Sequence, residues 1–587
     1  MAQPVRQVGL RAPGFQGLNT ELSPINGDPE FALVADNVVV DQIGRLSARE
    51  AFADYLPITA HENAEIIKMK QHATEHDETH GQHIQSPVWI YRYGSAQDIQ
   101  INARIPRGMG VVCRKGKQIE LDEATAQYGG AMEHHGVIVD LTVPAGDLQT
   151  AELVEFKNDL FLFAKGVPFS KLDGTVFTTV PAQVTALDGS KVSDIDGDIA
   201  ISAYGRLWVS GVNGNYHEIH YSSLLDETQW YDASDLDSET GNTGGVIDVR
   251  EYWPVESDSI VGIHAHNGFL LVFGRNSILV YANADAGDPA GENGIQLQDA
   301  ISNVGLVRRD AICNIGTDVL FVDDSGVRSI GRVIQEKSNP VGEPSLNIRR
   351  ELQEVIATEL ALDPFWSGIK MEYMPSKSLA IMLFTGLRIA YVLHLNMPSK
   401  TGGMKLTRWT DCFWNDSCEV KSADGDLIYL GGKVDKGLLK YQGYIQGSET
   451  SGDPEPYVMR YESMALPLGQ SPMQTAIPKS VHFVCMGEFV PGQANALWGF
   501  SDRMIGSREF QIEVDGGSEY NVNEFTDDGS EPLAGFYLDG GPYYKGYKIN
   551  TTGSGELFRV GLEVKVQGGR YALQEIDINS AIGRLTA

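Results

Sequence analysis

Short apolar segments come in pairs around turn residues, and this pattern repeats along most of the chain. Residues 153–156 (LVEF) and 160–163 (LFLF) flank Lys157, Asn158 and Asp159. Residues 199–203 and 206–209 flank Tyr204-Gly205, and Asn213-Gly214 precedes the segment 216–221. Segments 260–263, 269–273 and 277–281 follow, separated by Asn267-Gly268 and Arg275-Asn276. The pattern returns at 319–322 and 327–330 around Asp323 to Gly326, at 379–384 with 387–391, and at 427–430 with 437–441. A weaker, earlier copy lies at 66–69, 88–91 and 99–101. Asn-Gly turns supply the two positive φ angles that a tight hairpin needs. The units recur about every 40–70 residues, and each is a small meander that cannot bury both of its faces alone. Stacking them radially solves that problem. The pattern predicts a mainly β chain with few helices, built on a β-propeller of about six blades over residues 59–450. A sandwich or barrel is the structural alternative.

Residues 451–587 lack this rhythm but keep apolar segments at 480–484, 510–514, 557–560 and 562–566. They predict a second, strand-rich domain of sandwich-like form. One helix is expected where Leu352, Val355, Ile356 and Leu360 fall on one face. Ser345 or Asn347 would cap it, and Asp363-Pro364 would end it. Residues 282–294 (ANADAGDPAGENG) read as a polar loop.

Composition supports many short strands. The 64 glycines in 587 residues are dispersed, and they accompany 23 Tyr and 21 Phe. With 46 basic and 78 acidic residues the formal charge is −32, which excludes a protein whose main task is gripping nucleic acid phosphates. At 42% apolar residues the chain can bury cores, so disorder is excluded too. Five scattered cysteines (Cys113, Cys313, Cys412, Cys418, Cys485) form no CxxC and predict buried thiols rather than a disulfide framework. The first residues lack an apolar core and a cleavage site, so a soluble chain made in a cytosol, without a signal peptide, is expected. The apolar stretch 379–395 contains Thr385, Gly386, Arg388 and His394 and reads as two strands around a turn, with no membrane-spanning segment.

No catalytic signature of the phosphate-loop, nucleophile-elbow, zinc-protease or dinucleotide kind occurs. His72, His76 and His80, with Glu75 and His83 nearby, have the spacing that would align imidazoles on a helix for a metal. Their polar surroundings favour a solvated loop between two strands. Asp194, Asp196 and Asp198, and likewise Asp235, Asp237 and Glu239, lack the full pattern of a calcium loop. No catalytic, cofactor or metal residues are expected. Acids cluster unevenly. From 222 to 258 there are ten acids and one base, Arg250. From 511 to 540 there are eight acids and no base: Glu513, Asp515, Glu519, Glu524, Asp527, Asp528, Glu531 and Asp539. Such runs are either solvated loops or a surface that passes close to a polyanion without sticking.

The opening segment supplies a resemblance. Gly14 to Thr20 (GFQGLNT), Pro24, Phe31 to Val40 (FALVADNVVV), Ile43 to Arg49 (IGRLSAR) and Phe52 resemble the start of the tail nozzle proteins of short-tailed bacteriophages, also called tail tubular protein B or tail hub proteins. Gly205 to Val209, Tyr221 to Ser223, Thr228 to Trp230, Asn267 to Phe273 and Val319 to Ser329 are similar to that family in the same order. The resemblance implies a propeller joined to platform-like β domains, with residues 1–58 adding strands to one or both and 451–587 forming the platform. It implies a virion tail protein, not an enzyme, in which six copies form a tube below an adaptor ring. Tail fibres or spikes would attach outside, and genome DNA would leave through the bore without tight binding. The eight acids of 511–540 are the candidate lumen or contact residues. The rival expectations are a propeller-type polysaccharide-degrading enzyme, which needs a central carboxylate cluster, and a carbohydrate-binding propeller, which should show near-identical blades.

Overall fold

The computed structural model describes residues 5–585, apart from 26, 43, 57–64, 78–81, 94–97, 106–111, 115–116, 120–136, 142–149, 174–175, 183, 186–190, 193, 232–242, 255–257, 288–293, 337–342, 363–367, 423–424, 433–437, 446–455, 470–473, 502 and 516–541. Over 71–141, strand positions and pairings are described and side chains are not.

Seven antiparallel meanders follow one another along the chain. Blade one is Glu65–Asp77, Gln82–Tyr93, Asp98–Ile105 and Val137–Leu141. Blade two is Glu152–Phe156, Asp159–Ala164, Val167–Asp173 and Val176–Thr179. Blade three is Ile199–Ala203, Arg206–Ser210, Glu218–Tyr221 and Gly245–Asp248, and blade four is Gly262–His266, Phe269–Phe273, Ser277–Ala282 and Gln296–Ser302. Blade five has three strands, Ile312–Asn314, Val319–Asp323 and Gly326–Ser329, and the helix Ile330–Glu336 packs against the last two. Blade six is Ile369–Met374, Leu379–Phe384, Ile389–Pro398 and Met404–Trp409. Blade seven is Trp414–Ser422, Gly425–Gly432 and Leu438–Tyr441, completed by Phe52–Leu56 from the other end of the chain.

First strands of neighbouring meanders lie against each other for blades one to four and for blades five, six, seven and one. Glu65–Asp77 touches both Glu152–Phe156 and Trp414–Ser422, so the series closes on itself. Blades four and five join through Phe273 and Phe321, whose rings lie 5.2 Å apart. Among the described residues the result is a β-propeller of seven blades, where the sequence rhythm suggested about six. Blade one is the weakest copy in sequence, because long polar stretches surround its apolar segments 66–69 and 88–91. The hairpin turns follow their residues: Lys157 and Asn158, Tyr204 and Gly205, and Asn267 and Gly268 all have φ between 49° and 80°.

Apart from two short ladders, Val112–Arg114 with Lys117–Ile119 and Val184–Thr185 with Lys191–Val192, the remaining strands form two facing sheets. One runs Val38–Gln42, Arg45–Ala48, Arg570–Leu585, Gln474–Glu488 and Tyr543–Asn550, with Val5–Leu10 also on Arg570–Leu585. The other runs Ala32–Asp36, Tyr457–Ser463, Leu557–Val566, Gly492–Phe500 and Arg503–Ile512. Their inward residues, including Tyr461, Phe483, Val560, Leu562 and Ile576, belong to one hydrophobic cluster. The second sheet continues into blade six through a parallel pairing at Asp36 and Arg408. The apolar segments 557–560 and 562–566 form one strand rather than two.

The expected helix spans Arg349–Ala361 with Leu352 and Ile356 buried, but neither proposed cap acts as one. Ser345 Oγ instead accepts from the Val327 amide (3.0 Å), and Asn347 Oδ1 accepts from Thr401 Oγ1 (2.8 Å). A tight turn, Leu346–Ile348, separates both from the helix start. Asp363-Pro364 lies outside the described residues.

Ring closure rests on a buried aromatic group. The Phe52 ring lies 4.4 Å from Trp414, 5.7 Å from Tyr441 and 6.1 Å from Trp409, beneath the Arg49 guanidinium at 4.0 Å. Truncating a buried phenylalanine costs about 3–5 kcal/mol. Phe52→Ala is therefore expected to lower the unfolding free energy by that amount, read as a lower denaturant midpoint. Tryptophan fluorescence reports it directly, because Trp409 and Trp414 flank the lost ring. An unchanged midpoint would show that the closing strand is dispensable.

Candidate functional site

A cavity of about 510 Å³ opens on the propeller axis, and all seven blades contribute to its wall. First strands of a propeller present an unpaired backbone edge to the axis, so such a cavity is polar by construction. Here ion pairs close it. Lys68 of blade one reaches Glu152 of blade two (3.1 Å) and Asp310 just before blade five (3.0 Å). Arg309 lies 3.5 Å from Asp310, and its Nη1 donates to the carbonyls of Thr150 (2.7 Å) and Asp198 (2.8 Å). The Met371 amide donates to the Asp310 carbonyl (2.9 Å). The short segment around 309–310 thus ties blades one, two, three, five and six across the axis.

The electrostatics fit a closed network. Burial alone would raise the Asp310 carboxyl, but Lys68 and Arg309 hold it well below the usual range. Burial would lower Lys68, and Asp310 and Glu152 more than offset that. On the neighbouring side, Lys370 pairs with Asp416 (3.3 Å), whose other oxygen accepts from the Met69 amide (2.5 Å). Glu372 is buried between blades six and seven, where its Oε2 accepts from Ser417 Oγ (2.7 Å) and Trp414 Nε1 (3.3 Å). Burial, with the nearby Asp416 charge, pushes Glu372 up to about 7. Glu152, Asp310 and Asp416 are thus all tied to cations, and Glu372 points between blades. A cavity of this size suits a small molecule rather than a nucleic acid duplex.

A second constellation lies where the opening segment meets both domains. Asn37, at φ 54°, donates to Thr410 Oγ1 (2.8 Å) and to the Val458 carbonyl (2.9 Å). Its Oδ1 accepts from Arg49 Nε (2.9 Å) and the Thr410 amide (3.0 Å). Asp36 takes both nitrogens of the Arg408 fork at 2.7 and 2.9 Å, and Arg408 reaches Glu351 of the helix at 3.2 Å. Asp41 accepts from Arg45 (2.7 and 2.9 Å), Ser47 (2.7 Å) and Arg570 (2.7 Å), and Arg45 also donates to Tyr544 (2.7 Å). Arg49 is fully buried, with Tyr457 4.2 Å below its plane.

The residues singled out in the sequence are placed as follows. Glu513 and Asp515 follow the edge strand Arg503–Ile512, and Glu513 pairs with Lys545 at 2.5 Å. Glu519, Glu524, Asp527, Asp528, Glu531 and Asp539 lie outside the described residues. His72 and His76 are not in a loop. They fall in the long strand Glu65–Asp77, where His72 pairs with Ser86 and His76 with His83, while His80 lies outside the described residues. Asp196 and Asp198 accept separate bonds from the Asn213 amide (2.6 Å) and Tyr216 (3.0 Å). Asp235, Asp237 and Glu239 lie outside the described residues. Among the described residues no His/Cys/Asp/Glu group is arranged to hold a metal, and no helix is long and apolar enough to cross a membrane. Cys313, Cys412 and Cys485 are buried free thiols, and Cys418 is a half-buried one. Sequence reading missed Lys68, Glu152 and Arg309-Asp310, because nothing local marks residues that meet only through ring closure.

The sheets define a β-propeller protein. No family model matches the chain, and no curated protein matches it. Among solved structures it is similar to Kluyveromyces lactis Hsv2, at 13% identity over 55% of this chain and 83% of that one, with a TM-score of 0.27. It is similar to the WD40 domain of Toxoplasma gondii coronin, at 7% identity over 67% and 87%, with a TM-score of 0.31. It is also similar to a Phanerochaete chrysosporium exo-β-1,3-galactanase, at 8% identity over 91% and 99%, with a TM-score of 0.24. Likeness at this level transfers none of those proteins' roles.

Two outcomes follow from the axis. Lys68→Met removes the nearer cation from Asp310 and Glu152 and leaves them only the longer contacts to Arg309 (3.5 and 3.8 Å), and weakening such a buried network costs up to about 3 kcal/mol. Asp310→Asn added to Lys68→Met should recover part of that loss, which a double-mutant cycle by denaturant unfolding would measure. Glu372 has a folded value of about 7, above its ordinary 4.5. The folded state then holds an extra proton between those values, so its contribution is full below 4.5 and is lost as pH rises through 7. The expected slope is about 1.4 kcal/mol per pH unit at most. Glu372→Gln should flatten this part of the stability profile, and an unchanged profile would refute the assignment.

Proposed function

We propose that this chain is the nozzle, or hub, subunit of a short phage tail, a structural protein rather than an enzyme. One observation carries the reading. The residues behind the family resemblance (Asn37, Arg45, Leu46, Arg49 and Phe52) form the joint between a propeller and a two-sheet platform, the pair of domains that the resemblance implies. Such a joint holds the two domains in one relative orientation, which a subunit of a larger assembly needs.

In this reading genome DNA does not use the propeller's own axis, which ion pairs close. The bore lies between copies, in a ring of six with one head-to-tail interface repeated to closure. Six copies carry 6 × −32 = −192 formal charges. Acidic walls repel phosphate and release no condensed counterions, so the duplex slides without being gripped. Glu513, Asp515, Glu519, Glu524, Asp527, Asp528, Glu531 and Asp539 are the proposed lumen or contact acids. An adaptor ring above and fibres or spikes outside are the proposed partners, in the virion tail.

Electron microscopy of the purified chain, alone and with an adaptor, tests this reading. Six-fold rings with an acid-lined bore are expected. A bore lined by Lys and Arg, or a chain that never enters a ring, would refute it. So would robust polysaccharide release abolished by one carboxylate substitution, which is the outcome the rival enzyme reading requires.

A further inference from the structure

Among the described residues, two exposed apolar surfaces lie on different domains. The first is a groove of about 500 Å³ on the platform, lined by Ile445, Val490, Pro491, Gln493, Lys565 and Tyr571 among others. Ile445, Phe489 and Val490 are each between 41% and 45% exposed. This exposure is built in. Phe489 has φ 71°, and the Val490 amide donates back to the Glu488 carbonyl at 3.0 Å. That is a γ-turn of the rare positive-φ kind, strained for any side chain with a Cβ. Tyr571 donates its hydroxyl proton to the Val490 carbonyl (2.8 Å), and the Phe489 ring leans on Tyr444 at 6.2 Å. The strain holds two large apolar side chains outward. Across the adjoining strands, Val458, Lys565 and Gln493 stand in one register row, and Val458 is also exposed.

The second surface is a ridge on blade three. Leu224 and Leu225 are 47% and 57% exposed, and Leu225 has φ 54°. The Leu225 amide donates to the Gly205 carbonyl (2.8 Å), and a Cβ at Gly205 would come within 3.0 Å of Leu224. The ridge therefore sits directly on the Tyr204-Gly205 turn, again in a conformation that costs backbone strain. Acids follow it: Asp226, and Glu227, which Lys157 and Lys171 neutralise.

We infer that these surfaces dock on each other between copies, the Leu224–Leu225 ridge of one chain seating in the Val490–Ile445 groove of the next. This deepens the ring reading and rests on it. Charge favours the pair. None of the described residues lining the groove is acidic in a chain of net charge −32, and Lys565 stands at its wall, while Asp226 flanks the ridge. Size fits as well, since the groove can take two leucine side chains. Because ridge and groove are different patches, the contact is head-to-tail, and it propagates to a ring or an open chain.

The test uses full-length chains with sedimentation velocity as the readout. Leu225→Asp spoils the ridge and Val490→Asp spoils the groove, both at exposed positions, with circular dichroism checking the fold. Wild type should self-associate, and each single variant should sediment as a monomer. An equimolar mixture of the two variants retains one intact ridge and one intact groove, so it should form a dimer and nothing larger. A mixture that stays monomeric would overturn the pairing. Wild-type rings that persist in both variants would overturn this interface and leave the nozzle reading standing. A wild-type chain that is monomeric at all concentrations would overturn the self-docking, while the adaptor experiment above judges the nozzle reading separately.

Discussion

A propeller is a ring, and a ring is stable only when its last blade meets its first. Each meander covers one face of its neighbour, so an open series leaves two apolar faces in water. Here closure falls to Phe52–Leu56, which leaves the opening segment to become the fourth strand of blade seven. Its register with Leu438–Tyr441 places Phe52 opposite Tyr441, inside the cage of Trp409 and Trp414. Blade one follows at once along the chain, and its first strand lies against that of blade seven. The contact joins segments more than 340 residues apart, as the Met69 amide bond to Asp416 shows at |i−j| of 347. Such contacts form late, because the loop-closure entropy must be overcome before they return any stability.

The same constraint explains the joint. A strand that closes the propeller cannot also float free of the platform, because Val38–Gln42 and Arg45–Ala48 belong to a platform sheet a few residues earlier. Asn37 stands where the chain leaves one sheet for the other. Its positive φ turns the backbone, and its amide bonds to Thr410 of the propeller, Val458 of the platform and Arg49 of its own segment. Asparagine tolerates that backbone region because its short polar side chain can bond locally. Aspartate there would lack the two donated bonds, and alanine would leave the Arg49 side chain and the Val458 carbonyl each short of a partner. The motif that carries the family resemblance is therefore a packing and hydrogen-bonding requirement, and no ligand is needed to explain it.

What could be read from the sequence divides along the range of the interaction. Turns and meanders depend on neighbours a few residues apart, so Tyr204-Gly205, Asn267-Gly268 and the Asp323–Gly326 turn were all legible. Blade one was half legible, because its polar 71–77 and 82–87 stretches hide strands behind a composition that suggests a loop. The axial network was not legible at all. Lys68, Glu152 and Asp310 are ordinary charged residues in sequence, and their meaning appears only when the ring brings them within 3.1 Å. The helix caps failed for a related reason. Ser345 and Asn347 had the right residue types, but the long-range partners Val327 and Thr401 claimed their side chains.

The distribution of charge separates two uses of acidity in this molecule. On the axis, acids are matched to cations: Glu152 and Asp310 to Lys68, Asp416 to Lys370. In the joint, Asp36 and Asp41 are matched to Arg408, Arg45 and Arg570. These buried carboxylates are compensated by cations, as desolvation demands, while the buried Glu372, held by Ser417 and Trp414, is pushed toward its neutral form instead. The excess of 32 negative charges must therefore reside mainly in exposed segments, where hydration satisfies it and salt screens it over about 8–10 Å. A surface of that kind disfavours chance contact between copies. Any contact that does form must exclude acids and supply apolar area, and the platform groove beside Lys565 meets both conditions.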